Sequence, residues 1–127
     1  MARKKNETDA VDSVKRIVDE NIKLRQFIAG ETNAELAEAL MISAAAVSMK
    51  YRDKSWNLAD IANVAAHYGV AVEDIVSAGE LKKLRDTQKR ILLQSAKLAD
   101  DYKAAQDRLR EQYLAARREL GKGELVG

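Results

Sequence analysis

Few residues in this chain could carry out bond-making chemistry. The chain contains no Cys and a single His, His67, so disulfides and ordinary zinc sites are excluded. No nucleophile–base pair, paired acids, Gly-rich phosphate loop or metal-ligand cluster occurs at a useful spacing, so the sequence predicts neither an enzyme nor a cofactor. The remaining chemistry is electrostatic. Basic residues cluster in the middle of the chain and near its start, at Lys50, Arg52 and Lys54, and at Arg3, Lys4 and Lys5. Such clusters favour phosphate contacts, and the second could act as a flexible minor-groove arm.

Two short helices joined by a tight turn are predicted in residues 32–52, which include Lys50 and Arg52 of the central basic cluster. Thr32 and Glu35 have the spacing of a capping box, in which each side chain accepts a hydrogen bond from the other residue's backbone N–H. Ser43 caps the next helix through its hydroxyl, and Ile42 and Val47 are placed to form a hydrophobic staple across that helix start. A second helix positioned this tightly usually serves to enter DNA.

These residues resemble the helix-turn-helix regulators of the lambda-repressor-like Xre/Cro type. The features that match are small Ala37, Ile42 followed by Ser43, and Val47. Residues 18–22 look like the first helix of that family, and residues 56–70 resemble its fourth. The stretch VSMKYRDKSWNLADIANVAAHYGV is similar to actinobacterial and actinophage members, and the whole likeness covers residues 18–76. The resemblance implies a five-helix DNA-binding domain of a phage-type or prophage-type repressor.

The resemblance also implies roles for individual residues. Phosphate contacts near the helix ends are expected from Asn33 and Ser43, and backbone contacts from Lys50, Arg52 and Lys54. The residues that would face base edges are Ala44, Ala45, Ser48 and Met49. Family members commonly place Gln, Arg or Ser there, whereas Ala can touch a thymine methyl but reads no donor or acceptor. Discrimination would therefore rely on thymine methyls, van der Waals fit and DNA shape. The family usually has Gly where this chain has Met41, so a left-handed backbone there would cost about 1 kcal/mol.

The elements around this helix pair are also predicted to be helical. Proline is absent and Gly is scarce until the end, so the sequence indicates an all-α protein. A first helix is expected from about Asp9 to a C-cap at Gly30, and a fourth between a cap at Asn57 and Gly69. A short fifth helix precedes a boundary near residue 78. The predicted organisation is a flexible basic arm at 1–8, a helix-turn-helix domain at 9–78, an oligomerisation region at 79–120 and a flexible tail at 121–127.

The C-terminal region reads as one long amphipathic helix. Residues 80–120 contain no helix breaker, and at a seven-residue repeat they carry an apolar stripe. The residues expected to mediate oligomerisation on this stripe are Leu84, Ile91, Leu98, Tyr102 and Leu109. Such a stripe must be covered by a partner helix in a coiled coil, by itself in a hairpin with a bend near residues 99–101, or by the first domain. A second copy is the favoured partner, because a two-fold dimer reads two half-sites about one helical turn apart.

Charge leaves two functions open. The formal net charge is +2, and residues 1–79 contain 10 Lys/Arg against 12 Asp/Glu, so the total charge does not indicate a DNA-binding protein. No apolar run is long enough for a membrane span, and a cytoplasmic location is expected by default. The main hypothesis is a sequence-specific regulator that binds double-stranded DNA as a homodimer, without a metal or a membrane. The alternative is a protein-interaction module that keeps the helix-turn-helix fold and engages a partner through its C-terminal helix.

Overall fold

The computed structural model describes the backbone of residues 2–126 and the side chains of residues 9–121. Within this part of the chain all regular structure is helical, which confirms the all-α expectation. The helices are α1 (Ala2–Ala29), α2 (Asn33–Leu40), α3 (Ala44–Asp53), α4 (Leu58–Tyr68), α5 (Val72–Ile75) and α6 (Ala78–Val126). The expected long C-terminal helix is present as α6. Helix α1 begins earlier than the predicted start near Asp9, since no Gly or Pro precedes Gly30 to interrupt it.

The helix starts are determined by local hydrogen bonds. The Thr32 hydroxyl accepts a bond from the Glu35 N–H at 3.1 Å, and the Glu35 carboxylate accepts one from the Thr32 N–H at 3.1 Å. Asn57 and Asp60 form the same reciprocal pair at the start of α4, with distances of 2.8 and 2.9 Å. Both capping boxes satisfy backbone donors that a helix start would otherwise leave unpaired.

The turn between α2 and α3 contains a left-handed residue that is not glycine. Met41 ends α2 with φ 58° and ψ 40°, and its N–H returns to the carbonyls of Ala37 and Glu38. A side chain in this conformation costs about 1 kcal/mol, which the two returning hydrogen bonds and the packing of the following helix must offset. The Met41 side chain is 92% exposed.

The core lies in the first of two compact units, residues 1–89. It is built from one face of α1 and the facing sides of α2 to α5, and its buried members are Val18, Ile22, Leu36, Ala37, Leu40, Val47, Trp56, Ile61, Val64, Ala65 and Ile75. Ala37 is buried where α2 and α3 pack together, as a close approach of two helices requires. Val47 on α3 is fully buried, which fixes the rotation of that helix about its own axis.

A smaller apolar cluster joins α1 to the start of α6. Leu24 of α1 packs with Leu81 and Leu84, and Ile17 and Ile28 lie against them. Leu84 was predicted on the oligomerisation stripe, but within this chain it is buried in contact with α1. The apolar residues in the first turns of α6 are therefore packed within the first unit.

The buried polar side chains of α1 are all hydrogen-bonded. The Asn21 amide donates to the Asp74 carbonyl at 2.9 Å and accepts from Arg25 Nε at 2.8 Å, so it ties α1 to α5. The Trp56 indole N–H donates to Asp19 at 3.2 Å, and Asp19 is also bound by Lys23 at 3.1 Å. No buried side-chain polar atom lacks a partner in the described part of the chain. These bonds hold α1 in one orientation on the core.

The second unit, residues 90–127, contains the rest of α6. Its backbone is helical through residues 99–101, and nearly all of its described side chains are exposed. No helix among the described residues is both long and apolar enough to cross a membrane.

Candidate nucleic-acid interface

Helix α3 has one buried face and one uncovered face. Val47 points into the core, while Ala44, Ala45, Ser48 and Met49 are exposed. The Ser43 hydroxyl accepts a bond from the Ala46 N–H at 3.1 Å and caps the helix. The four residues that sequence analysis assigned to base contacts therefore share one solvent-facing surface, which we call the α3 face. Nothing in the first unit covers it, so a ligand could approach it directly.

A chain of hydrogen bonds runs from the protein interior to the α3 face. The Tyr51 hydroxyl donates to Gln26 Oε1 at 2.5 Å, and Gln26 Nε2 donates to Asn33 Oδ1 at 2.8 Å. Asn33 Nδ2 then donates to the Ser48 hydroxyl oxygen at 3.3 Å. We call these four residues the Tyr51–Ser48 relay. It connects α1, α2 and α3, and it ends on a side chain expected to face bases.

The relay determines what Ser48 can do chemically. A hydroxyl oxygen that accepts from Asn33 keeps its own hydrogen available, so Ser48 can donate outward to an acceptor. Burial raises the pKa of Tyr51, with the negative charges of Asp19 and Glu31 adding to the effect, so its hydroxyl stays protonated and acts as the first donor. The α3 face thus carries one oriented donor among methyl groups.

Protein-family models, curated proteins and solved structures show no match to this chain.

Lys50 is held inside the first unit by an ion pair. Its ammonium lies 2.6 Å from the Asp60 carboxylate, and the two side chains are only 19% and 13% exposed. Asp60 is also the partner of Asn57 in the capping box of α4, so this pair joins the end of α3 to the start of α4. Lys50 was expected to contact the DNA backbone, yet its charge is already partnered within the chain.

The other two basic residues of the cluster remain accessible. Arg52 bonds to the neighbouring Asp53 at 3.1 Å, but its side chain is 72% exposed. This exposed pair raises the pKa of Arg52 and lowers the pKa of Asp53 through their hydrogen bond. Lys54, the left-handed C-cap of α3, is exposed and has no ion pair among the described residues. Arg52 and Lys54 can therefore turn towards an external anion at little cost.

The remaining predicted residues have different environments. Arg3, Lys4 and Lys5 lie outside the residues whose side chains are described, so the arm stays a prediction. Of the residues assigned to oligomerisation, Leu98, Tyr102 and Leu109 are exposed, Ile91 is partly buried and Leu84 is buried.

His67 belongs to a separate cluster at the junction of α1, α2 and α4. Its Nε2 lies 2.6 Å from Glu31, which also accepts a hydrogen bond from the Tyr68 hydroxyl at 2.8 Å. Burial, followed by the bond to Glu31, raises the pKa of Tyr68. The cluster ties the loop before α2 to the end of α4. Among residues 9–121 no group of three or more His, Asp or Glu side chains could hold a metal ion.

Sequence reasoning missed Gln26 and Tyr51, which orient Asn33 and Ser48. The available signal was the position of Gln26 four residues after Ile22, on the apolar face of the first helix. A polar residue on such a face needs a buried partner. Which residue is the partner of Gln26 follows only from the packing of α1 against α3, because Tyr51 lies 25 residues away in the sequence.

Proposed function

We propose that this chain is a sequence-specific DNA-binding regulator of the lambda-repressor-like Xre/Cro type, in which α3 enters the major groove. It acts as a phage-type or prophage-type repressor by occupying operator DNA as a dimer. The observation that carries this proposal is the exposed α3 face with its one oriented hydroxyl. A helix fixed by a buried Val47 on one side and uncovered on the other is suited to contact base edges.

The chemistry of the α3 face matches specific groups in the major groove. The Ser48 hydroxyl can donate to guanine O6 or N7, to adenine N7 or to thymine O4. The methyl groups of Ala44 and Ala45 and the thioether of Met49 fit thymine methyls. One donor position flanked by apolar positions predicts a site in which thymines lie on both sides of the base whose acceptor Ser48 reaches.

Phosphate contacts would come from the two ends of α3 and from the start of α2. Ser43 and Asn33 lie near helix starts, where backbone N–H groups and the helix dipole favour an anion. Arg52 and Lys54 provide exposed positive charges at the C-terminal end of α3. Lys50 holds α3 against α4 through its ion pair with Asp60. The phosphate contribution is small for a DNA-binding protein, and we therefore expect affinity to depend on two copies bound together.

A protein-interaction module is the second candidate, favoured by the paired state of Lys50 and by the acidic balance of residues 1–79. An apolar helical interface should respond weakly to salt, whereas DNA binding weakens with salt in proportion to the phosphates neutralised.

The test is selection from random duplexes at about 150 mM salt, followed by sequencing of the retained DNA. The unaltered chain should recover a palindrome with half-sites about 10 base pairs apart. Ser48→Ala should relax preference at one position of each half-site and weaken binding there by about 0.5–1.5 kcal/mol, the net contribution of one neutral hydrogen bond. Ser13→Ala makes the same chemical change on the exposed side of α1 and should leave the motif unaltered.

Three results would count against the proposal. No retained DNA would favour the interaction module. Salt-sensitive retention without any motif would show nonspecific binding instead of operator recognition. A motif unchanged by Ser48→Ala would mean that α3 is not the recognition helix.

A further inference from the structure

The exposed part of α6 carries an 11-residue repeat. Large apolar residues recur at this interval in two series, Ile91, Tyr102 and Tyr113, and Leu98, Leu109 and Leu120. Together they have alternating spacings of seven and four residues, and small Ala105 and Ala116 recur between them. The repeat starts at the beginning of the second unit, directly after the turns of α6 that pack on α1.

This spacing follows the helix better than a seven-residue repeat does. Eleven residues in three turns correspond to about 3.67 residues per turn, close to the 3.6 of an α-helix, and predict a gentle right-handed supercoil. A seven-residue repeat continued past Leu109 would place Gln112 inwards and leave Tyr113 aside. In the 11-residue pattern Tyr113 and Leu120 stay on the same face as Leu98 and Leu109. We call this set of large apolar residues the α6 stripe.

The α6 stripe is uncovered in a single chain. From Leu98 to Leu120 its large residues are each between 63% and 70% exposed. If each buried on the order of 100 Å², two paired helices would remove about 1,000–1,200 Å² from water, near the lower limit for a specific interface. The area of the α6 stripe therefore reaches the lower end of the range for a specific interface.

We propose that residues 91–121 pair with the same residues of a second copy, parallel and in register along the α6 stripe. A second copy presents Ile or Tyr opposite Ile or Tyr and Leu opposite Leu in every repeat, and Ala opposite Ala in the second and third. The Ala layers let the two backbones approach closely between the large residues.

Charges beside the α6 stripe select the parallel orientation. At about 100° per residue, Lys103, Arg110 and Arg117 lie along one edge of the stripe. The other edge carries two acids and two bases, Asp101 and Glu119 with Lys97 and Arg108, and is neutral overall. Parallel helices place unlike edges together, whereas antiparallel helices would bring the three basic residues of each copy against one another.

The tyrosine hydroxyls are compatible with this packing. The Tyr102 hydroxyl accepts a hydrogen bond from Gln106 at 3.0 Å, one turn along the helix. Gln106 lies at the edge of the stripe, so the ring can pack between helices while its hydroxyl stays satisfied at the rim.

The pairing of two α6 helices specifies how the proposed dimer forms, and its relevance to operator binding rests on the proposed function. Parallel helices bring their N-terminal ends together, so both copies of the preceding 89 residues leave the pair from the same end. The pairing itself can be measured without DNA. Intact pairing without operator binding would refute the proposed function alone. Operator binding by a monomer would refute the pairing and the dimeric mode of binding, and would leave DNA recognition by α3 standing.

Cysteine cross-linking in the full chain tests the repeat and the orientation, because the protein has no Cys of its own. Tyr113→Cys should form a disulfide-linked dimer at least about tenfold faster than Gln112→Cys, since only opposed core positions bring two Cβ atoms within bonding distance. Leu98→Cys should also cross-link to itself, which antiparallel helices would prevent. Equal rates at positions 112 and 113, or no cross-link at position 98, would overturn the proposed arrangement.

Sedimentation equilibrium tests the energetic role of the α6 stripe. Leu109 and Leu93 are similarly exposed in the single chain, at 65% and 71%, but Leu93 lies on the opposite face of α6. Leu109→Ala should raise the dimer dissociation constant by at least about a hundredfold, since both copies lose a buried Leu, and Leu93→Ala should change it by less than about threefold. A monomeric unaltered chain at about 100 μM, or equal effects of the two substitutions, would refute the proposal.

Discussion

Replacing Lys50 distinguishes a structural ion pair from a phosphate contact. Lys50→Ala removes an ammonium 2.6 Å from the Asp60 carboxylate, in a pair whose members are less than a fifth exposed. A hydrogen bond between charged groups contributes about 1.5–3 kcal/mol when well shielded, and the residual exposure reduces this to about 1–2 kcal/mol. The first unit has 89 residues, so the expected loss corresponds to a Tm lowered by about 5–15 °C.

Arg52→Ala is the matched control. Its ion pair with Asp53 is 72% and 49% exposed, and solvent screening leaves such a pair little effect on stability. Thermal unfolding followed by circular dichroism should therefore rank the two variants clearly, with Lys50→Ala much less stable. Equal Tm values for the two variants would refute the assignment of Lys50 to a structural role.

DNA binding by the same variants completes the test under the proposed function. Lys54→Ala should reduce the slope of log affinity against log salt by about one unit, because it removes one phosphate contact. Lys50→Ala, assayed well below its Tm, should leave that slope nearly unchanged. A reduced slope with an unchanged Tm would show that Lys50 leaves Asp60 to bind phosphate.

Three further predictions concern the fold. Because the pKa values of Tyr51 and Tyr68 are raised, the folded chain keeps protons that the unfolded chain loses above about pH 10, so the free energy of unfolding should fall as pH rises past 10. Urea unfolding at a series of pH values would measure this, and a flat profile would contradict it. Ile22→Ala, at a fully buried site, should cost about 2–5 kcal/mol in urea unfolding, against less than about 0.5 kcal/mol for exposed Leu93→Ala. Gly69→Ala should cost about 1 kcal/mol through its φ of 67°, since a Cβ there meets nothing within 4 Å, and a neutral result would contradict the backbone explanation.

The parts of the fold that sequence reasoning predicted depend on interactions between near neighbours. The bonds of Thr32 with Glu35, and of Asn57 with Asp60, join residues three positions apart, so their spacing alone predicts them. The long C-terminal helix was predictable for the same reason, because a lack of breakers is a local property.

The parts that sequence reasoning did not predict depend on the packing of distant elements. The ion pair of Lys50 with Asp60 crosses from α3 to α4, and the bond of Tyr51 to Gln26 crosses from α3 to α1. A basic residue at a helix end has the same sequence signature whether it faces solvent or a carboxylate. Burial of Leu84 by α1 is likewise invisible to a periodicity that runs through it. Local chemistry therefore predicted which helices form, and tertiary packing determined which of their polar residues remain available.

The α3 face offers few polar groups to a base, and this explains why the pairing of two copies matters to the proposed function. Under the proposed function, a single hydroxyl would contribute only about 0.5–1.5 kcal/mol to the discrimination between base pairs, and the methyl groups would add contacts to thymine. A single copy with few free phosphate contacts would spend most of its time on nonspecific DNA. Two copies joined through the α6 stripe turn the second half-site contact into an intramolecular event, so the discrimination of both α3 faces acts on one binding step. A weakly discriminating α3 face and a self-complementary helix are thus mutually dependent, and substitutions that separate the copies should abolish operator selectivity while leaving the α3 face intact.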